Sequence, residues 1–323
     1  MNYLLFALAI IVGIIGLLWS ADKFVLGAST TARNLGVSVL VIGLTVVSFG
    51  TSAPEIFTSA TAALRGAPEL AIGNVIGSNI ANIGLVLSIT LLICPIVIPV
   101  TLLKEELPAL LLVTLAAVFI FQDLSINRID GIILLLLLAL FTWFILKRKG
   151  ALSKSHMSES EEIADYIADI STRKALALML MGLVVLLFSA NILVYGASGI
   201  ARELGVSELI IGLTIVAIGT SLPELAASAM GALRGHHDLA VGNVFGSNIL
   251  NLLLVLPVPA FLAPLTIEPV VFWRDTLSML SITLLLACII AFKIHQQQKL
   301  GRAMGVVLLA LYLSYTALLI VMS

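Results

Sequence analysis

Charge is scarce in this sequence. Only 11% of its 323 residues are Asp, Glu, Lys or Arg, while 60% are hydrophobic. Soluble globular domains carry about 25% charged residues, so that class is excluded and a polytopic membrane protein is expected. The net formal charge of −1 singles out no polyanionic partner, and no nucleic acid is expected to bind. Cysteine is equally sparse. Cys94 and Cys288 are the two present, each inside an apolar run, which reads as packing rather than a disulfide framework. The four histidines (His156, His236, His237 and His295) all fall in expected loops, where solvation is the plain reading. Without an intramembrane His there is no zinc or copper site and no base for a serine nucleophile, so the chain does not read as an enzyme. A secretory leader is missing too. The first apolar run, Tyr3–Leu18, has no basic segment ahead of it and no small-residue cleavage site, and it reads as a first span.

Long apolar runs are what the chain has in abundance. A bilayer core takes about 20 mostly apolar residues per helix. Ten stretches fit: 3–30, 38–63, 70–93, 104–121, 129–147, 174–200, 207–232, 239–262, 274–292 and 303–322. The one long connection, 148–173, holds Glu159, Glu161, Glu162, Asp165 and Asp169 and reads as a solvated acidic linker. It divides the chain into five-span units, 1–147 and 174–323.

The two units are repeats. A shift of 169 residues lays Gly36–Leu87 on Gly205–Leu256 without a gap, and 33 of the 52 positions are identical. Five spans is an odd number, so the second unit enters the membrane from the opposite face. Inverted repeats with interrupted helices meeting at the midplane are an architecture of secondary transporters. Basic residues orient the chain. Twelve Lys and Arg follow odd-numbered spans and four follow even-numbered ones. That places the odd loops and the acidic linker in the cytoplasm and both termini outside. Lys23, near the inner end of the first span, is placed to snorkel.

The motif Gly50-Thr51-Ser52-Ala53-Pro54-Glu55 returns as Gly219-Thr220-Ser221-Leu222-Pro223-Glu224. Each copy sets a carboxylate and two hydroxyls beside a proline inside a span. A charge at mid-bilayer costs about 2.5–3.5 kcal/mol on insertion scales, which makes such a residue a functional candidate. Proline lacks an N–H and its ring crowds the carbonyl four residues back, so spans 2 and 7 are expected to break there and free backbone oxygens near Ser48 and Ala217. One such Glu also fits as a protonated packing residue or a helix-helix hydrogen bonder; two in matched motifs point to an ion.

The following spans open with Gly73-Asn74-Val75-Ile76-Gly77-Ser78-Asn79-Ile80-Ala81-Asn82 and Gly242-Asn243-Val244-Phe245-Gly246-Ser247-Asn248-Ile249-Leu250-Asn251. Their glycines are expected to let helices approach closely. Thr51 shares a helix face with Glu55, and Ser78 with Asn82. The candidate ligands are Thr51, Ser52, Glu55, Ser78 and Asn82, with Thr220, Ser221, Glu224, Ser247 and Asn251. Asn82 and Asn251 also fit as interhelical glue, and Asn79 and Asn248 are left open. Glu105, Glu106, Arg274 and Asp275 sit at span ends and read as interfacial. The set is all hard oxygen, which suits Ca²⁺ or Na⁺. Two carboxylates are neutralised by one Ca²⁺, two Na⁺ or two protons, so the residues leave proton coupling open.

These motifs resemble the α-repeats of the calcium:cation antiporter superfamily, in its sodium/calcium exchanger branch, with the repeats at 43–82 and 212–251. The resemblance covers nearly the whole chain. It implies an all-α protein of ten transmembrane helices in two inverted five-helix repeats, with helices 2 and 7 broken. It implies exchange of Ca²⁺ for Na⁺ at the ten residues above, with the first span of each unit sliding as a gate. No resident cofactor is implied, since the ions are cargo. A single chain in the cell membrane, with lipids around it, is the implied unit. Asn251 departs from the Asp found in many such exchangers, which bears on stoichiometry. A proton-coupled cation antiporter is the nearer rival and a cation channel the farther one.

Overall fold

The computed structural model describes residues 3–98, 102, 104–152, 169–206, 211–262, 265–296 and 298–322. Among them are eight unbroken apolar helices long enough to span a bilayer and two bent pairs, which together make the expected ten. The spans are 1 (Tyr3–Asn34), 2 (Val39–Thr51 with Ala53–Leu64), 3 (Leu70–Ile93), 4 (Glu106–Asp123), 5 (Arg128–Ile145), 6 (Thr172–Glu203), 7 (Thr214–Thr220 with Leu222–Leu233), 8 (His237–Leu262), 9 (Val271–His295) and 10 (Arg302–Val321). A helix satisfies its backbone internally, which is what lets so apolar a chain cross lipid.

Several expected boundaries need correction. Spans 1 and 6 run to Asn34 and Glu203, making each 32 residues long. In span 1 the added stretch begins with Thr31 and Ala32, both buried in protein. The linker is shorter than expected at both ends, since helix continues to Leu152 and resumes at Thr172. Its acidic residues Glu159, Glu161, Glu162 and Asp165, and the segment 207–210 assigned to span 7, lie outside the described residues.

Spans 1 and 6 form one long pair, packed through glycines that obey the repeat. A Cβ on Gly13 would stand 2.7–2.9 Å from Leu193, and one on Gly182 would stand 2.6–3.0 Å from Phe24. The other eight spans enclose a second core, centred on spans 3 and 8, whose spanning windows are 78% and 94% buried. Tight turns join the elements. Gly36, Gly66, Gly205 and Gly235 all have φ between 63° and 80°, a region glycine enters without steric cost. In each turn the next residue's N–H closes back on a helix carbonyl, as in Val37 to Ala32 at 2.9 Å.

Loops at the two faces pair as the inversion requires. On the face bearing the termini, Ser125–Ile126 forms a two-stranded sheet with Leu265–Thr266. On the linker face, Ile96 bridges Leu300. The expectation that the histidines are loop residues in water fails in part. His295 ends span 9, His237 opens span 8, and His236 before it is only 4% exposed. Burial, and then His237, push the His236 imidazole down to about 4.

Candidate cation site

Spans 2 and 7 break where the prolines dictate. The halves meet at 42° in span 2 and 51° in span 7. The residues at the breaks, Ser52 and Ser221, have ψ of 6° and 1° instead of helical values, and each proline sits in the first turn of the next helix, where its missing N–H is tolerated. Glu55 and Glu224 therefore fall in the first turns of those second halves, at the positive end of a helix dipole.

Both glutamates are 1% exposed. The Ser52 hydroxyl donates to the Glu224 carboxylate at 3.3 Å, joining the repeats directly. Ser52, Ser78, Asn82, Ser221, Ser247 and Asn251 are all at most 5% exposed. Many of their polar atoms have no hydrogen-bond partner among the described residues. These are one oxygen each of Glu55 and Glu224, the side-chain oxygens of Asn82, Ser221 and Ser247, and both polar atoms of Asn251. Native proteins rarely leave buried polar groups unmet, so this concentration around two carboxylates marks a place built for a ligand. Among the described residues no cluster of three or more His, Cys, Asp or Glu forms, here or elsewhere.

The remaining expected residues divide. Thr51 is buried, but its hydroxyl is engaged, 3.2 Å from Asn243 Oδ1 and 3.4 Å from the Ser48 carbonyl. Thr220 is more exposed and donates to the Ala217 carbonyl at 3.0 Å. The Ser48 carbonyl still accepts from the Ser52 N–H at 2.9 Å, whereas the Ser221 N–H turns to Ile218, at 3.1 Å, and lets Ala217 go. Asn79 is spent on Val75, one turn back, at 2.9 Å. Asn248 is buried with both polar atoms unmet. Asp275, in the first turn of span 9, is 7% exposed and held by Arg274 and by Tyr315 of span 10.

Sequence reasoning passed over one group. Asn74 donates to the Glu55 carbonyl at 3.2 Å and to Ser59 at 2.9 Å; Asn243 does the same to Glu224 and Ser228 at the same distances. Their identity in both repeats was the available signal. The π turns are repeated as well, at Gly43–Val47 and Gly212–Val216, then at Asn82–Leu87 and Asn251–Val255. Such turns are rare and gather at functional sites. Asn82 and Asn251 each begin one.

The first halves of spans 2 and 7 sit differently. Gly43 of span 2 abuts span 8, its notional Cβ 2.9 Å from the Leu239 carbonyl and 3.3 Å from the Asn243 nitrogen. A Cβ on Gly242 would stand 2.8 Å from the Leu40 carbonyl. The Ser48 hydroxyl fills this seam, 2.6 Å from the Gly43 carbonyl and 3.0 Å from that of Asn243. Across the molecule, no atom of the described residues lies within 4 Å of a Cβ on Gly73 or Gly77 of span 3, and Val216 and Ala217 are exposed. The expected close approach is met at Gly242 and Gly246; for Gly73 the matching partner segment, 207–210, lies outside the described residues. Among the described residues, the first half of span 2 is packed closely on span 8 toward the linker face, while Val216 and Ala217 of span 7 are exposed.

Comparison with known proteins places this architecture. A family model described as sodium/calcium exchanger protein matches residues 5–147 and 174–321. CaxA of Alkalimonas amylolytica is 42% identical over 96% of this chain and 97% of its own length. The sodium/calcium exchanger MaX1 of Methanosarcina acetivorans is 30% identical over 97% of each chain. A solved structure of the sodium-calcium exchanger NCX_Mj, from a soak in Na⁺ and Sr²⁺, superposes with a TM-score of 0.82 at 36% identity, covering 97% of this chain and 98% of that one. With ten helices in two inverted repeats and helices 2 and 7 broken, this chain is an integral membrane protein that belongs to the sodium/calcium exchanger family.

Proposed function

We propose that the protein carries Ca²⁺ one way and Na⁺ the other by alternating access, with both ions competing for the oxygens around Glu55 and Glu224. The observation that supports this most directly is the set of unmet buried oxygens that spans 2, 3, 7 and 8 bring around the two carboxylates. Thr51, Ser52, Ser78, Asn82, Thr220, Ser221, Ser247 and Asn251, with the Ala217 carbonyl, are the neutral ligands from which each ion takes its share. Calcium accepts about 6–8 oxygens in flexible geometry, and the set is large enough for it. The Ser48 carbonyl, which keeps its backbone partner, ranks behind that of Ala217.

The carboxylates supply the conditional step. Two ionised groups in a site closed from water repel the closed state, while a bound cation offsets that cost. The gate therefore switches when loaded with either ion and resists switching when empty, which couples the two fluxes. Since the site is built within one chain, a monomer suffices. The basic residues after the odd spans orient the linker face to the cytoplasm of a cell membrane and the termini outward. The conformation described above is then the outward-facing one.

Calcium uptake into proteoliposomes under an outward Na⁺ gradient tests the reading. Uptake is expected to require the gradient, to survive collapse of any pH gradient, and to fall at least about a hundredfold in Glu55→Gln and Glu224→Gln, the scale of a lost charged ligand. Near-normal exchange in either variant defeats the site assignment. Uptake that follows the pH gradient alone would transfer the coupling to protons.

A further inference from the structure

Asn74 and Asn243 use both of their amide hydrogens in the same way, on a glutamate carbonyl and on the serine one turn further along. With the nitrogen committed, the direction of the amide oxygen is fixed by the network. On Asn243 that oxygen accepts the Thr51 hydroxyl at 3.2 Å, in a fully buried contact between the two repeats. Thr220 stands in the place of Thr51 but is turned to Ala217, and the Asn74 oxygen has no protein partner among the described residues. One amide oxygen is capped and its twin is bare. The capped one lies in the seam between spans 2 and 8; the bare one lies beside Gly73 and Gly77, whose Cβ positions meet no described residue.

We infer that Asn74 and Asn243 are positioning residues for the exchange, each with two jobs. Their N–H groups fasten the second half of the broken helix to the next span, so that Glu55 travels with span 3 and Glu224 with span 8. Their oxygens are docking points for the mobile first halves. Thr51 docks on Asn243 when the linker face is shut; by the inversion of the repeats, Thr220 docks on Asn74 when the opposite face is shut. The hydroxyl that leaves its asparagine is the one released toward the ion path, so a threonine is an ion ligand on one side at a time. This rests on the alternating-access reading above.

The test is the apparent KM for Ca²⁺ measured separately at the two faces, in proteoliposomes of defined orientation. In a two-state carrier the ratio of these values follows the equilibrium between the facing states. Losing a buried hydrogen bond is expected to move it about fivefold. Thr51→Val should weaken apparent affinity at the face of the termini relative to the linker face, and Thr220→Val should do the reverse. Thr51→Ser and Thr220→Ser, which keep the hydroxyl, should restore the ratio. Asn243→Ala should move the ratio as Thr51→Val does and also lower kcat, because Glu224 loses its anchor. Using a ratio removes any general loss of binding or of folded protein. Sodium-dependent flux with an unmoved ratio, or with both valine variants shifting it the same way, overturns the inference alone. Absence of sodium-dependent flux in the wild type overturns the reading beneath it, and the inference with it.

Discussion

Residues 39–51 and 211–220 are the same element built twice, from nearly the same sequence, and they adopt two different relations to their surroundings. In the first repeat the element is pressed into span 8 through Gly43, Gly242 and Gly246. In the second it bends more sharply at its break and shows Val216 and Ala217 at the surface. Since the motif is shared, the motif does not choose between the two arrangements. The choice lies with packing farther off. Span 1 lies along Leu222–Leu233, whereas span 6 has hardly a contact with Ala53–Leu64. Correspondingly Pro223 is buried and Pro54 is only half-buried. A molecule that displays both packings of one motif contains a picture of its own other state, obtained by exchanging the roles of the repeats.

Glycines give the largest handle on this comparison. A Cβ at Gly246 would stand 2.5 Å from the Leu44 carbonyl, whereas Gly77, its counterpart, has nothing within 4 Å. Overpacking of this kind costs about 1–3 kcal/mol. Gly246→Ala is expected to push the first half of span 2 off span 8 and raise deuterium uptake across residues 39–51. Gly77→Ala should leave that uptake unchanged, because its methyl group meets nothing here, yet it should slow Ca²⁺ exchange by blocking the mirrored packing. If Gly77→Ala exchanges as fast as the wild type, the second repeat never closes as the first one does.

The shared part of this design was legible in the sequence and the unshared part was not. Hydropathy supplied ten spans, and the 169-residue self-match supplied inversion, the two breaks and both glutamates. Asn74 and Asn243 carried the same signal, but asparagines four residues before the serines fitted no ligand pattern, so their role as braces emerged only from geometry. That Thr51 turns to Asn243 while Thr220 turns to Ala217 had no local cue at all, because both residues sit in identical Gly-Thr-Ser strings. Hydropathy ended span 1 at residue 30 because the stretch Thr31–Asn34 reads as wet, yet Thr31 and Ala32 are buried.

Charge breaks the repeat where the motif does not. Asp22, in the middle of span 1, pairs with Lys23 at 3.3 Å and with Arg234 at the end of span 7. The equivalent of Asp22 is Asn191, and that of Arg234 is Arg65. Asn191 is uncharged and donates to the Leu187 carbonyl at 2.8 Å. The tie between a long gate helix and the far end of a broken helix therefore has an ionic form in one repeat only, and it favours the arrangement described here. Arg234 is partly exposed, at 42%, so the contribution is expected at about 0.2–1 kcal/mol. Asp22→Asn should move the face-to-face ratio of Ca²⁺ affinities by up to about fivefold toward linker-face opening. Asn191→Asp, which gives Arg65 a partner in the mirrored packing, should move it the same way, and high salt should damp both. An unchanged ratio in Asp22→Asn would make that ion pair a bystander.

The smallest expected difference concerns the turns that lead into spans 3 and 8. Ala67 occupies this place in the first repeat and is half-buried; His236 occupies it in the second and is 4% exposed. The backbone of His236 is committed to the turn, its N–H donating to the Gly231 carbonyl at 2.8 Å and its carbonyl accepting from Leu239 at 3.1 Å. The imidazole is thus held inside, where burial and then His237 push it down to about 4, against about 6.5 in an unfolded chain. Above pH 6.5 neither state takes up the proton. Between about 6.5 and 4 the unfolded chain binds one that the folded protein refuses, so stability falls as pH falls through that window and levels off below it. In detergent, the midpoint of thermal unfolding should decline across this range, and His236→Ala should flatten part of the decline even where it lowers the midpoint everywhere. Ala67→His, in the looser mirror position, should add a shallower slope. Equal slopes from the two positions would mean that the turns are buried alike, and that the asymmetry between the repeats does not extend to their ends.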